Sequence, residues 1–169
     1  LLGIDKFDAA QALEGFLGTH RRLEVVGTRN NITVIDDFAH NPDKVKASVS
    51  ALKSYPGRLI MMFQPHGFSP MRMMGRQIID EFCAQMSDED ILLMPEIYFA
   101  GGTVTRDISS RDLINRAVEN GKQARYFDNR EAAGEFILAN ARPGDRIVIM
   151  GARDNSLPGF CQTILERLK

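Results

Sequence analysis

Hydrophobic and polar positions along the chain alternate between two periods, one typical of buried strands and one typical of amphipathic helices. Short apolar runs rich in β-branched residues predict six strands, at 23–26, 32–35, 59–63, 91–94, 124–127 and 147–150. Apolar residues three and four positions apart predict six helices, at 5–17, 42–54, 71–86, 110–119, 128–141 and 157–168. Strands separated by helices of about 10–15 residues indicate βαβ units and a parallel sheet.

This order of elements predicts an α/β fold, a small Rossmann-like three-layer domain with a mostly parallel sheet covered on both faces. The first two strands are joined by a short connection, 27–31, in which Asn30 and Asn31 favour a tight turn. An antiparallel hairpin is therefore expected at one edge of the sheet. No repeat or long linker divides the chain, so residues 1–169 are expected to form a single domain.

Two helix starts carry recognisable capping residues. Asn41 is a favourable N-cap and Pro42 a favourable first helical residue. Asp128, with Glu131 three residues later, predicts a capping box at the start of the fifth helix.

Composition narrows the class of protein. Hydrophobic residues make up 44% of the chain and charged residues 25%, which is ordinary for a globular domain. The net charge of −1 gives no electrostatic reason to expect nucleic acid or an acidic membrane surface as a partner. The two cysteines, Cys83 and Cys161, lie on apolar helix faces, which favours a reducing compartment.

With no signal peptide and no apolar run of about 18 residues, a cytoplasmic protein without a membrane segment is expected. Because the chain starts at Leu1, a longer parent protein is also expected.

The turn after the second strand concentrates polar groups that could bind a ligand. Asp36 and Asp37 end the strand, and His40 and Asn41 follow before the helix. In open α/β sheets, ligands bind at the carboxyl ends of the strands. The two carboxylates could cap the helix, or they could hold ribose hydroxyls or a cation. Arg22, with Arg21 beside it, could be solvated charge or a phosphate ligand.

Two further turns follow strands and are expected at the same edge of the sheet. The first, 63–70, contains His66, and Arg72 lies at the start of the next helix. The second, 151–156, contains Arg153 and Asp154 before the last helix, whose N-terminus suits an anion. Arg153 could bind a substrate carboxylate or pair with Asp154, and the sequence does not decide between the two.

Several catalytic motifs are absent from the sequence. It contains no Gly-x-x-x-x-Gly-Lys-Ser/Thr phosphate loop, no candidate catalytic triad and no zinc-ligand spacing. We therefore expect no catalytic residue and no metal site in this chain alone, and no activity for it in isolation.

Four motifs in order resemble the C-terminal domain of Mur ligases and folylpolyglutamate synthetases. They are Arg22-Leu-Glu24, Asp37-Phe-Ala-His-Asn-Pro42, Phe63-Gln-Pro-His66 and Gly151-Ala-Arg-Asp154. The last two are most similar to the branch of the family that adds L-alanine to UDP-N-acetylmuramate.

The resemblance implies an ATP-dependent amide-bond ligase of cell-wall synthesis or recycling. The whole enzyme would activate a UDP-muramyl carboxylate as an acyl phosphate, which the amine of an amino acid or peptide attacks. ATP and Mg²⁺ would be the cofactors, with Mg²⁺ held mainly by a central domain outside this chain. The partners would be those substrates and the N-terminal and central domains. By this resemblance Arg22 reaches the ATP phosphates, Asp37 binds the ribose, and His40 and Asn41 form part of the nucleotide pocket.

The chain departs from the family at its substrate-binding loop. The L-alanine-adding branch carries two arginines after the Pro-His pair, where this chain has Gly67 and Pro70. Arg72 or Arg153 could replace them, so L-alanine is expected to be a poor substrate. Two alternatives remain open: a folylpolyglutamate- or cyanophycin-type ligase domain, and a non-enzymatic Rossmann-like nucleotide-binding module.

Overall fold

The last strand in the chain lies inside the sheet, between the second and third strands. The computed structural model describes residues 3–16, 18–99, 101, 103 and 105–169. Within them, the strands are β1 (Glu24–Arg29), β2 (Ile32–Asp37), β3 (Leu59–Gln64), β4 (Ile91–Pro95), β5 (Gln123–Phe127) and β6 (Arg146–Gly151). The helices are α1 (Lys6–Glu14), α2 (Pro42–Lys53), α3 (Phe68–Gln85), α4 (Ser110–Glu119), α5 (Arg130–Asn140) and α6 (Leu157–Arg167).

These strands form one six-stranded sheet in the order β1-β2-β6-β3-β4-β5. All neighbours run parallel except β1, which pairs antiparallel with β2 at the edge. Every residue of β3 and β4 is buried, as expected for strands covered on both faces. One core lies between the sheet and α2, α3 and α4, and the other between the sheet and α5 and α6. The predicted three-layer α/β fold with an antiparallel edge hairpin is confirmed.

The edge hairpin turns at the predicted residues but is longer than predicted. Asn30 and Asn31 have positive φ angles of 52° and 61°, the combination that a two-residue type I′ turn requires. Strand β1 continues to Arg29, so residues 27–29, expected in the connection, pair with β2. The apolar pattern ends at Val26 because the rest of β1 is an edge strand facing solvent, where burial does not select apolar residues.

The helix caps show one confirmed prediction and one error. Asn41 caps α2, and its side chain accepts a hydrogen bond from the Lys44 backbone N–H at 2.9 Å. The predicted capping box at Asp128 is wrong. The cap of α5 is the next residue, Asn129, whose side chain accepts from the Ala132 N–H at 2.8 Å. Asn and Asp are about equally good N-caps, so a sequence with both side by side does not fix the start.

Helix α1 ends earlier than its apolar pattern predicts. It stops at Glu14 with Gly15 as its C-cap, and Leu17, the predicted end, lies outside the described residues. No described residue of α1 is buried, and Phe7 and Leu13 are 73% and 67% exposed. The first helix therefore contributes nothing to either core.

Candidate functional site

The carboxyl ends of β2, β6 and β3 lie side by side and form the rim of the candidate site. In the paired strands, Asp37 is opposite Met150, and Gln64 is opposite Gly151. The chain enters a helix on one face after β2 and β3, but a helix on the other face after β6. Such a reversal opens a crevice above the strand ends, the usual place for a ligand in an open α/β sheet.

Close packing at the centre of this rim requires a glycine at the end of β6. Gly151 has a φ of 152°, and a Cβ there would lie 2.8 Å from the backbone oxygen of Gln64. The turn that carries Arg153 and Asp154 therefore starts directly against β3.

Asp36 and Arg21 form a buried pair beneath the rim. The Arg21 Nε donates to Asp36 Oδ2 at 3.1 Å, and its terminal nitrogen donates to the Gly151 carbonyl at 2.9 Å. The guanidinium also lies 5.0 Å from the centre of the Phe38 ring. Burial raises the pKa of the Asp36 carboxyl, although the Arg21 charge opposes that shift. Arg21 and Asp36 thus tie the segment before β1 to β2 and β6.

Asp37 and Arg22, by contrast, line an open pocket of about 230 Å³. The other lining residues come from the start of β1, the turn after β2 and the first turns of α2: Leu23, Ala39, Lys44, Ala47 and Ser48. Asp37 is 4% exposed, and its Oδ1 accepts a hydrogen bond from the Leu23 N–H at 3.3 Å. Its Oδ2 is buried without a hydrogen-bond partner among the described residues. A buried carboxylate oxygen without a donor is suited to a ligand hydroxyl.

His40 and Asn41 do not line that pocket. The Asn41 side-chain oxygen is used as the cap of α2. The His40 Nδ1 lies 2.8 Å from the Phe38 carbonyl oxygen, and its ring is 5.7 Å from the ring of His66. The structure therefore brings His40 together with His66, a residue of the next strand's turn, and separates it from Asp37.

His66 is half-buried at the rim and forms a parallel bridge with Tyr98 in the turn after β4. Burial lowers the pKa of the His66 imidazole, and the nearby charges of His40 and Arg153 lower it further. Its Nδ1 is buried and has no partner in the described part of the chain. Burial and these two neighbours therefore disfavour the protonated form of His66.

Of the other predicted substrate residues, two are held by protein partners. Asp154 pairs with Arg130 of α5 at 2.9 Å and accepts from the Ser156 N–H at 3.0 Å. Arg72 is paired with Asp107 and donates to the Thr105 carbonyl at 3.0 Å. Arg153 is exposed, with a φ of 68°, and forms no ion pair with any residue that the structure describes. The alternative that Arg153 pairs with Asp154 is wrong, because Arg130 occupies that carboxylate.

Sequence reasoning did not single out Arg130 or Lys44 at this edge, and it did not anticipate the buried pairing of Arg21. Arg21 and Arg130 hold the turns in place, and nothing in the local pattern indicates these roles, because their partners are distant in sequence. Lys44 had a usable signal: it is a cation in the first turn of a helix, where acidic residues are favoured.

The pocket of Asp37 combines a carboxylate oxygen that has no partner among the described residues with the exposed guanidinium of Arg22. Such an oxygen can accept a hydrogen bond from a hydroxyl group, and a guanidinium can bind an anion. Across the described ranges, no group of three or more His, Cys, Asp or Glu is arranged to hold a metal ion. The helices of the described chain also include none long and apolar enough to cross a membrane.

A family model and two curated relatives relate this chain to the same group of ligases. The family model described as "Mur ligase, glutamate ligase domain" matches residues 21–153. The chain is 38% identical over 154 residues to UDP-N-acetylmuramate–L-alanine ligase of Lachnospira eligens, covering 90% of this chain and 33% of that protein. Identity to the ligase of the same name from Acetivibrio thermocellus is 39% over 155 residues, covering 90% and 32%. The chain thus spans about a third of the length of these curated relatives.

A solved structure shows the same fold. The crystal structure of UDP-N-acetylmuramate–alanine ligase from Thermotoga maritima superposes with a TM-score of 0.73 at 24% identity. The match covers 98% of this chain and 34% of that one. Since the family model covers most of the chain and includes Arg22, Asp37, His66 and Arg153, the chain belongs to the Mur ligase, glutamate ligase domain family.

Proposed function

We propose that this chain is the C-terminal, ATP- and amine-positioning domain of a three-domain ligase that forms an amide bond on a UDP-muramyl substrate. The observation that carries the proposal is Asp37, which lines the pocket and whose buried Oδ2 has no hydrogen-bond partner among the described residues. Arg22 lies in the same pocket and supplies a charge for the phosphates. His40, whose ring lies 5.7 Å from that of His66, and Asn41, the cap of α2, are assigned to the adjoining wall of the nucleotide site.

The chemical contribution of this domain is positioning rather than bond making. ATP supplies the phosphoryl group that activates the carboxylate, with Mg²⁺ held mainly by the central domain. The residues of this chain orient the ribose and phosphates and hold the incoming amine, which lowers the entropic part of the barrier. No step is assigned to a catalytic residue of this chain.

The amine substrate is assigned to the other side of the rim, around His66 and Arg153. Arg153 forms no ion pair with a described residue, whereas Arg72 is held by Asp107. A guanidinium without a protein partner is suited to bind a carboxylate. Asp154 positions the turn through Arg130.

The relatives favour a muramyl substrate over a folyl one. The curated proteins at 34–39% identity are named as L-alanine-adding ligases of UDP-N-acetylmuramate. The folylpolyglutamate synthases among the solved structures share 16% identity and support the fold alone.

The test is Asp37→Ala in the full-length ligase. Loss of the ribose contact is expected to raise the KM for ATP about tenfold or more, with little change in the KM for the amine. The melting temperature is the control, because a carboxylate that only supported the turn would lower stability instead. A variant with normal ATP affinity and reduced stability would contradict the proposal.

A further inference from the structure

Lys44 lies in the pocket of Asp37 and Arg22, but on a different element. It is the third residue of α2, after the cap Asn41 and the first-turn residues Pro42 and Asp43. The cap is already complete, because the Asn41 side chain accepts from the Lys44 backbone N–H. The Lys44 side chain therefore has no part in capping.

A lysine at this position works against its own helix. The N-terminus of a helix carries a partial positive charge, so acidic side chains stabilise the first turn and cations destabilise it. The third helical position is also where Glu or Gln completes a capping box with the N-cap residue. Residues that break such local rules occur mainly at functional sites, where a ligand provides the compensation.

The other lysines of α2 have partners, and Lys44 has none in the described structure. Lys46 pairs with Glu81 at 4.0 Å, and Lys53 pairs with Asp90 at 2.7 Å. Lys44 forms no ion pair with any described residue, although it is half-buried against the pocket. An anion in the pocket would compensate both the Lys44 charge and the helix N-terminus.

The buried oxygen of Asp37 supplies an independent sign of a ligand in the same pocket. Asp37 Oδ2 needs a hydrogen-bond donor, whereas Arg22 and Lys44 need an acceptor. One ligand that carries both hydroxyl donors and an anionic group satisfies all three residues. A ribose phosphate has this combination, whereas sulfate and chloride lack the donor.

We infer that Lys44 is a second phosphate-binding residue of the nucleotide pocket, contacting ATP from α2 while Arg22 contacts it from the segment before β1. The inference rests on the proposed function and deepens it. It adds a residue from the first turn of α2 to those that the sequence motifs indicate.

The experiment measures equilibrium binding of ATP and of adenosine to the full-length ligase, by calorimetry, for Lys44→Gln. Because a charge-assisted contact is lost, ATP affinity is expected to fall about tenfold. Adenosine affinity is expected to stay unchanged, since it has no phosphate. The melting temperature without nucleotide is expected to stay equal or rise, because Gln is favoured at this helix position.

Lys46→Gln is the matched control, two residues further along the same helix and outside the pocket, and it is expected to bind ATP normally. Normal ATP affinity in Lys44→Gln, with weakened binding in Asp37→Ala, would overturn the inference and leave the proposed function standing. Normal affinity in both variants would overturn the proposed function as well. Equal loss of ATP and adenosine affinity in Lys44→Gln would overturn the phosphate assignment.

Discussion

At the scale of single residues, the neighbouring arginines 21 and 22 have opposite environments. Arg21 is 7% exposed and donates to Asp36 and to the Gly151 carbonyl, whereas Arg22 is exposed and lines the pocket of Asp37. Arg21 also has a positive φ of 54°, a conformation that is uncommon for residues other than glycine. Two identical neighbouring residues therefore lie in a buried and an exposed environment.

We predict that Arg21→Ala and Arg22→Ala in the full-length ligase separate stability from nucleotide binding. Removing Arg21 leaves the Asp36 carboxylate buried without its partner, so the free energy of unfolding should fall by about 3–5 kcal/mol. Arg22→Ala should change stability by no more than about 0.5 kcal/mol, because the side chain is exposed. It should instead raise the KM for ATP. Urea unfolding and ATP kinetics measure the two effects, and a reversed result would exchange the assignments.

The sequence could not assign these two roles from local information. Both arginines precede the same strand, and the difference arises from Asp36 and Gly151, which are 15 and 130 residues away from Arg21. Asp37 could be selected because strand ends bind ligands in this architecture, and His40 and Asn41 because they follow it. That His40 lies against His66 required the packing of two βα turns, which no local pattern contains.

At the scale of elements, most strands and helices could be predicted from the sequence, because the spacing of apolar residues reflects which side of each element is buried. Three errors fall where burial gives no signal: the solvent-facing half of β1, the exposed helix α1, and the choice between Asp128 and Asn129 as a cap. A fourth has another cause, because α3 begins at the buried Phe68 and not at the predicted Met71. Pro70 indicated a loop but lies in the first turn of the helix, where proline is tolerated.

The connections between elements at the amino end of the sheet depend instead on buried carboxylates. Asp90 is fully buried there and accepts hydrogen bonds from Lys53, Ser87 and the Leu59 N–H.

We predict that Asp90→Asn lowers the free energy of unfolding by about 3 kcal/mol at neutral pH. The substitution removes the carboxylate to which Lys53 and the backbone N–H groups of Leu59 and Ser87 donate. Burial raises the pKa of Asp90, but the hydrogen bonds from Lys53, Leu59 and Ser87 outweigh it and hold the pKa below its usual value. A carboxylate with a lowered pKa contributes stability above its unfolded-state pKa, and this contribution is lost as the pH falls through the folded-state pKa.

The difference between wild type and Asp90→Asn should therefore be constant above about pH 5 and shrink below about pH 4. Urea unfolding over that range measures it. Asp88→Asn, an exposed neighbour in the same turn, is the control and should follow the wild type. A difference that stays constant into acid would show that the charge of Asp90 contributes nothing to stability.

At the scale of the whole molecule, the proposed function divides the substrates between the two halves of the rim. Asp37 and Arg22, on the β2 side, are proposed to bind the nucleotide, while His66 and Arg153, on the β3 and β6 side, are proposed to bind the amine. The family's L-alanine-adding branch, as the resemblance implies, has arginines where this chain has Gly67 and Pro70. Neither replacement can form a charge-assisted bond, and Arg72, the nearest arginine in sequence, is held by Asp107.

We predict from this arrangement that the full-length ligase uses L-alanine with a kcat/KM about 10–150-fold lower than that of a ligase that keeps the two arginines. It should prefer a larger amino acid or a short peptide whose carboxylate reaches Arg153. The measurement is phosphate release with UDP-N-acetylmuramate, ATP and a panel of amines.

Arg153→Ala should raise the KM for the preferred amine and leave the KM for ATP unchanged, whereas Arg72→Ala should change neither. The isolated 169-residue chain serves as the blank, since its sequence has no phosphate loop and should release no phosphate. The outcome that would refute this division is L-alanine as the best substrate of an enzyme in which Arg153→Ala has no effect, because the carboxylate would then be held elsewhere.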